Sequence, residues 1–430
     1  MPCLPPPPDC ASAYVALAEL DCLQELGLLQ SAPKSFVEGE RDSFGTENSA
    51  ESEHLILRWD GPLEPSAAEV MLASGEESWQ SLVVELGMPA PYGSEAFKLN
   101  IYLGDSGSNA PRALGEAYAT VDGEGYPMVV LSPEAVADWE RGQVVLAHEF
   151  FHTLQDNSAA PFEYSESSPG AWLFEATAVW SEAQVYPENP DTARWLYGWS
   201  LRPGDAVDAF AFPSSGSLEE YRQYGAFVWV RYLSNQEGEA LIPALWGQDS
   251  EQPRVALDAR LDLEAAWHAF ALAGASWDFA EGARYAQVHE EAAERWPDWD
   301  ERVTELGGGA WQELEGPESM GVRYLSLESE TLRLRVREPE GGQLRVQLSS
   351  PDGEQDLGWA PVDQSFDAAL HPETLLVLSS GWQEPAEGLV SVRSESRGGC
   401  GGCKTGAPGG VLGALMMAGL LARRERVWSW

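Results

Sequence analysis

In the stretch "VVLAHEFFHTLQDN", Val144 to Asn157, two of the chain's six histidines stand four residues apart, with a glutamate beside the first. Residues four apart share one face of an α-helix, their Cβ atoms about 5–6 Å from each other. His148 and His152 can therefore direct two imidazoles at one point, and neutral imidazoles are good ligands for Zn²⁺. Glu149 is offset from that line. It is poorly placed to share the ion and well placed to take a proton from a zinc-bound water, which is the physical content of the H-E-x-x-H pattern.

A hydrolytic zinc site takes three protein ligands and keeps a position open. Downstream carboxylates are the candidates for the third. "WLFEATAVWSEA" carries Glu175 and Glu182 in an otherwise apolar helical run. A carboxylate among Trp172, Leu173, Phe174, Val179 and Trp180 is costly unless it is paired or meets a cation. Seven residues span about 10.5 Å of helix axis, so the two glutamates do not both bind one ion. Glu175 is nearer the loop "DNSAAPFEYSESSPG" that brings the chain back, which favours Glu175 at the metal and Glu182 in support. Asp156 sits one turn after His152 and is better placed to orient a histidine than to bind. Glu163 and Glu166 lie in the loop and read as solvated. Tyr224 in "YRQYGAFVW", with Tyr221 second, is a candidate oxyanion donor, packing being the competing role of both. His54, His268, His289 and His371 have no partner at ligand spacing and read as surface or packing residues.

These residues need elements to hold them. "FKLNIYLGD" alternates as a strand. "GEAYATVDGEGYPMVVLS" reads as two strands joined by an Asp122-Gly123 turn, and "YPMVVLS" as a strand that could border a cleft and hold an extended peptide by edge pairing. In "SPEAVADWERG", Ser132 is an N-cap, Pro133 takes the first helical position and Glu134 the first turn, and the histidine helix follows. Later helices are "GAWLFEATAVWSEAQVY", "LEEYRQYGAFVWVRYLSNQ" and "LDLEAAWHAFALAGASWD". From Trp311 to Glu395 the pattern turns to strands, "RYLSLE", "TLRLRVRE", "QLRVQLSS", "TLLVLSS" and "LVSVRS", which suggest a small β-sandwich.

The 430 residues suit two or three domains, and 18 tryptophans within 44% apolar content can fill a large core. With 26 basic against 69 acidic residues, the net charge is −43, a surface that repels nucleic acid and anionic lipid. Of the five cysteines none lies between Cys22 and Cys400, so the central body has no disulfide framework. The start, "MPCLPPPPDC", lacks a basic segment followed by an apolar one. An amphipathic helix follows around Leu17, Leu20, Leu23 and Leu28, with Cys10 and Cys22 either paired or simply buried. The end joins a glycine-rich linker, Cys400 and Cys403, a 16-residue apolar run from Ala407 to Ala422, and Arg423, Arg424 and Arg426.

That tail resembles the MYXO-CTERM class of bacterial sorting signals, which combine a cysteine motif, a short transmembrane helix and an arginine cluster. The resemblance covers about the last 35 residues and departs from the pattern in the terminal "VWSW". It implies export, a tail in the membrane recognised by a sorting or processing protease near a cysteine, and display at the cell surface. The body resembles the gluzincin metallopeptidases, in which HExxH is followed by a glutamate on a second helix. More closely, "HEFFHTLQ", "WLFEATAVWSE" and "YRQYGAFVWVRYLSN" resemble uncharacterised secreted bacterial metallopeptidases, over roughly Asp42 to Tyr285. This resemblance implies His148, His152 and Glu175 as zinc ligands and Glu149 as general base. It departs from the gluzincins at Val179, where an aspartate often orients a histidine, and passes that role to Glu182 or Asp156.

The expectation is an α+β chain: an N-terminal helical segment and candidate propeptide over 1–32, a zincin-like metallopeptidase domain of mixed sheet and active-site helices over 33–306, a β-sandwich over 307–396, and the sorting tail over 397–430. The expected function is a monomeric, surface-displayed zinc endopeptidase acting on protein or peptide. The alternatives are an inactive adhesion protein with a structural metal, and a zinc hydrolase of cell-wall peptides.

Overall fold

The computed structural model describes residues 41–212, 218–306, 311–327, 331–337, 343–360, 362–365, 373–381 and 389–396. The N-terminal helical segment with Cys10 and Cys22, His371, and the tail with Cys400 and Cys403 lie outside the described residues. The described residues as far as Ser396 belong to one compact unit. The architecture is mixed α and β, with mixed sheets. Among the described residues, no helix is long and apolar enough to cross a membrane.

The first sheet contains β1 (Asn48–Glu51), β2 (Leu55–Trp59), β3 (Leu99–Leu103), β4 (Ala117–Val121) and β5 (Pro127–Leu131), in the order β1-β2-β3-β5-β4. β2, β3 and β5 run parallel, while β1 and β4 run antiparallel to their neighbours. Alternate side chains point to opposite faces of a sheet. Leu55, Leu57, Leu99, Ile101, Ala117, Val129 and Leu131 join the main core, while Tyr102, Tyr118, Met128 and Val130 pack with Phe44 and Leu114 on the other face. Both faces are covered, which is why β3 and β5 are buried along their whole length.

Two expectations are corrected here. β5 lies inside the sheet, paired to β3 on one side and β4 on the other, so it has no edge to offer a peptide; the terminal strand is β4. The β4–β5 connection is also not a two-residue Asp-Gly turn. It runs from Asp122 to Tyr126, with Asp122 Oδ1 accepting the amides of Glu124 and Tyr126, and the left-handed residue is Gly125, at φ 86°.

Four helices carry or pack around the site: α1 (Pro65–Trp79), α2 (Trp139–Gln155), α3 (Ala171–Val185) and α4 (Phe227–Glu237). Before α2, Ser132 Oγ caps Ala135 N at 3.1 Å and Pro133 opens a short helix, Pro133–Ala137. Asp138 then leaves helical geometry and the chain restarts as α2, buried continuously from Val144 to Gln155. α2 packs against α1, α3, β4 and β5. α3 is buried on every side from Ala171 to Glu182, and Glu175 and Glu182 are the charged residues in that stretch.

The segment expected as one helix, Leu218 to Gln236, is broken into a 3-10 turn at Leu218–Tyr221, a single turn at Arg222–Gly225, and α4. The cause is a close backbone crossing. A Cβ on Gly225 would lie 2.3 Å from Trp199 N, and one on Gly198 would lie 2.0 Å from Tyr221 O. Glycine alone fits both positions.

The C-terminal strands form two sheets. One holds β6 (Val303–Glu305), β8 (Val322–Ser326), β10 (Leu344–Ser350), β11 (Gly353–Trp359) and β13 (Leu375–Ser380) in the order β11-β10-β13-β8-β6. The other holds β7 (Gln312–Glu315), β9 (Thr331–Arg337), β12 (Val362–Ser365) and β14 (Leu389–Ser396) in the order β12-β9-β14-β7. Leu325, Leu344, Val346 and Leu376 meet Val336, Val390 and Val392 in a shared core. The first strand of these sheets, β6, begins at Val303. A fifth labelled helix, α5 (Leu263–Ser276), lies against β10 and β13, and Tyr324 donates its hydroxyl to Ala271 O at 2.9 Å.

Candidate metal centre

α2 presents His148 and His152 on one face, their rings 4.9 Å apart and nearly perpendicular. α3 crosses that face and supplies Glu175. One candidate ligand atom from each of the three lies within 4.8 Å of the others, and all three residues are fully buried. Glu175 Oε2 is 3.1 Å from His148 Nε2 and 3.6 Å from His152 Nε2. The structure thus brings together the three residues expected at the metal, and the group could hold a metal ion.

The outward-facing atoms of these three are held in turn. His148 Nδ1 lies 2.8 Å from Glu182 Oε1, about two turns along α3 from Glu175. His152 Nδ1 lies 2.6 Å from Gln155 Oε1, and the Gln155 amide donates to Phe174 O and Thr177 Oγ1, both at 2.9 Å. The second oxygen of Glu175, Oε1, accepts the Tyr164 hydroxyl at 2.7 Å. Each imidazole therefore keeps Nε2 for the centre and spends Nδ1 on a support, the arrangement that orients metal-binding histidines. Asp156, expected as a candidate support, is exposed at the end of α2, and the bond to His152 comes from its neighbour Gln155. Glu163 and Glu166 are exposed in the loop.

Glu149 is fully buried beside the cluster. Among the described residues, no donor of normal geometry reaches either of its oxygens, the Ala119 amide of β4 making only a weak favourable approach. Burial pushes its carboxyl above the usual range, His148 and His152 oppose that, and Glu175 reinforces it. A carboxyl raised in this way holds a proton more readily than an exposed one, which suits a group that accepts a proton and later returns it. Burial disfavours the charged form of His148, but Glu175 and Glu182 outweigh it and carry its pKa up to about 10. Burial also works against the charge of Glu175, and His152 and His148 more than reverse that, holding its carboxyl below the usual range. Three fully buried glutamates in one cluster are costly unless positive charge balances them, and His148 and Arg194 supply part of that balance. Two imidazoles and a carboxylate, all supported from behind, are a donor set that fits a divalent metal such as zinc.

The remaining predicted residues divide. Tyr224 is buried with its ring 6.2 Å from that of His148 and nearly parallel, and 4.6 Å from Trp195. Tyr221 also stacks on Trp195, with ring centroids 5.7 Å apart. Both belong to an aromatic layer behind His148. Outside the centre, His54 stacks on Trp79, His268 meets Ser379 Oγ at 2.7 Å, and His289 lies 3.3 Å from Ser200 Oγ. A separate cavity of about 10 Å³, lined by Arg41, Phe97 and Tyr126 among others, shares no residue with the centre and has room for about one water.

Sequence reasoning missed Gln155, Tyr164 and Arg194. Gln155 had a local signal, since it stands one turn past His152 on the same helix. Tyr164 sits in a loop without periodicity, and nothing local pointed to it. Arg194 lies in the 3-10 turn Pro190–Leu196, with Nη2 3.6 Å from Glu182 Oε1.

A family model described as "Family of unknown function (DUF6055)" matches residues 32–332, and the chain belongs to that family. The matched span contains every residue of the centre. No curated protein matches the chain.

Proposed function

We propose that this member of the DUF6055 family is a zinc-dependent endopeptidase. The observation that carries the reading is the convergence of His148, His152 and Glu175, each supported on its far side, with the unbonded carboxylate of Glu149 beside them. When bound, zinc would act as a Lewis acid and ease deprotonation of water at neutral pH. Glu149 takes that proton and returns it to the leaving amine, a role its raised pKa suits. Glu182 and Gln155 keep the Nδ1 atoms of His148 and His152 occupied, so that both Nε2 atoms stay aimed inward. Tyr164 occupies one oxygen of Glu175 and leaves the other for the ion.

One observation favours a second reading. His148, Glu149, His152 and Glu175 are all fully buried, as a structural metal would require, and in that reading the sandwich supplies a binding surface on an inactive chain. The unbonded Glu149 weighs the other way, because a purely structural site gains nothing from a buried carboxylate without a partner. A hydrolase of cell-wall peptides would use the same centre. Surface display through the tail belongs to the same proposal and rests on the residues of the tail alone.

Zinc content measured together with cleavage of a denatured protein tests the reading. One zinc per chain with cleavage that Glu149→Gln abolishes is expected. One zinc per chain without cleavage of any peptide offered selects the structural metal, and a chain without zinc overturns both.

A further inference from the structure

Arg194 is a charged side chain at the back of the centre with nothing to bond. Its side chain is 11% exposed, and none of its three nitrogens has a hydrogen-bond partner among the described residues. Its contacts are a charge contact, Nη2 to Glu182 Oε1 at 3.6 Å, and the Trp195 ring, 5.2 Å from its Cζ. The same Glu182 oxygen lies 2.8 Å from His148 Nδ1. Of the other acids nearby, Glu116 is matched by Arg141 Nε at 2.5 Å, and Asp191 is half-buried, within reach of water. Glu182 is fully buried and, among the described residues, has no other cationic side chain within ion-pair distance apart from His148. Burial works against the charge on Arg194, and Glu182 is the first of the acids that outweigh it.

We propose that Arg194 is a positioning residue for the metal centre: its charge holds the buried Glu182 carboxylate in place, and Glu182 in turn fixes the ring of His148. The inference rests on the zinc reading above and extends it one residue outward. A separation of 3.6 Å is too long for a hydrogen bond, so the planar fork of arginine is not used and the contact is one of charge. Without Arg194, Glu182 keeps only the His148 contact against the cost of its burial and is less firmly held, and the His148 ring is less well oriented. Outer partners of this kind are worth about 10–100-fold in metal affinity.

The test is zinc affinity of the full chain, by competition with a chromophoric chelator, for wild type, Arg194→Met, Arg194→Lys, Glu182→Gln and the Arg194→Met/Glu182→Gln pair. Arg194→Met is expected to weaken zinc by about tenfold. Arg194→Lys keeps the charge and is expected to stay within about threefold of wild type. In the Glu182→Gln background, Arg194→Met is expected to cost nothing further, because the group it serves is gone. Wild-type affinity in Arg194→Met overturns the inference, and so do losses that multiply in the double variant. If Arg194→Met does not fold, Arg194→Gln takes its place, with the same outcomes deciding. Wild-type chain that takes up no zinc overturns the zinc reading and this inference together. Wild type that binds while Arg194→Met binds equally overturns the inference alone.

Discussion

Glu182 Oε1 stands 2.8 Å from His148 Nδ1, while Nε2 of the same ring faces Glu175 Oε2 at 3.1 Å. One imidazole is thus clasped between two glutamates seven residues apart on α3, one at each of its nitrogens. Seven residues is close to two helical turns, so both glutamates leave α3 on a similar face, and the ring spans the gap between them. This geometry separates the roles of two residues that share a type, a helix and complete burial. Glu175→Ala is expected to abolish stoichiometric zinc binding, and Glu182→Ala to weaken it about 10–100-fold. Counting zinc per chain after dialysis against a weak chelator checks this. An empty Glu182 variant beside a loaded Glu175 variant would reverse the assignment.

Glu149→Gln keeps the shape of the side chain and loses its ability to accept a proton. The variant is expected to hold zinc as wild type does and to lose about 10²–10⁴ in cleavage rate. Turnover within tenfold of wild type, at equal zinc content, would remove Glu149 from the proton-transfer role.

Gln155 ties the two helices of the centre together through His152, Phe174 and Thr177. Gln155→Ala leaves buried polar atoms without partners, at about 1–3 kcal/mol for such a loss. Urea denaturation of the metal-free chain is expected to show a lower midpoint, and chelator competition a weaker zinc site. A variant with unchanged midpoint and unchanged affinity would mean that the tie carries no energy.

The described chain ends on β14, a strand paired to β9 on one side and β7 on the other. A chain ending at Ser396 is expected to stay soluble with wild-type zinc content and melting temperature. A chain ending at Glu387 lacks β14, exposes the β9 and β7 edges, and is expected to aggregate or to melt earlier. Thermal melts of both beside the full chain decide whether the residues after Ser396 serve folding.

How much of this was legible before the fold depends on the distance over which each signal acts. The spacing of His148, Glu149 and His152 is a property of one helix, so their common face follows from 3.6-residue periodicity alone. Glu175 and Glu182 stood out because a carboxylate inside an apolar helix demands a cation or a donor, whatever the fold around it. Ser132 and Pro133 marked a helix start through chemistry confined to one turn. The late strands showed themselves by alternation, and the pairing of their sheets did not. Only the tertiary structure decided that Tyr164, from an unpatterned loop, reaches Glu175, that Arg194 stands behind Glu182, and that β4 rather than β5 ends the sheet. It also decided the break before α4, because a backbone crossing at Gly198 and Gly225 leaves no trace in the periodicity of either segment. Periodicity reports which way a side chain points from its own element. What it meets there is set by the register and crossing of elements far apart in the chain, and these follow from packing of the whole core.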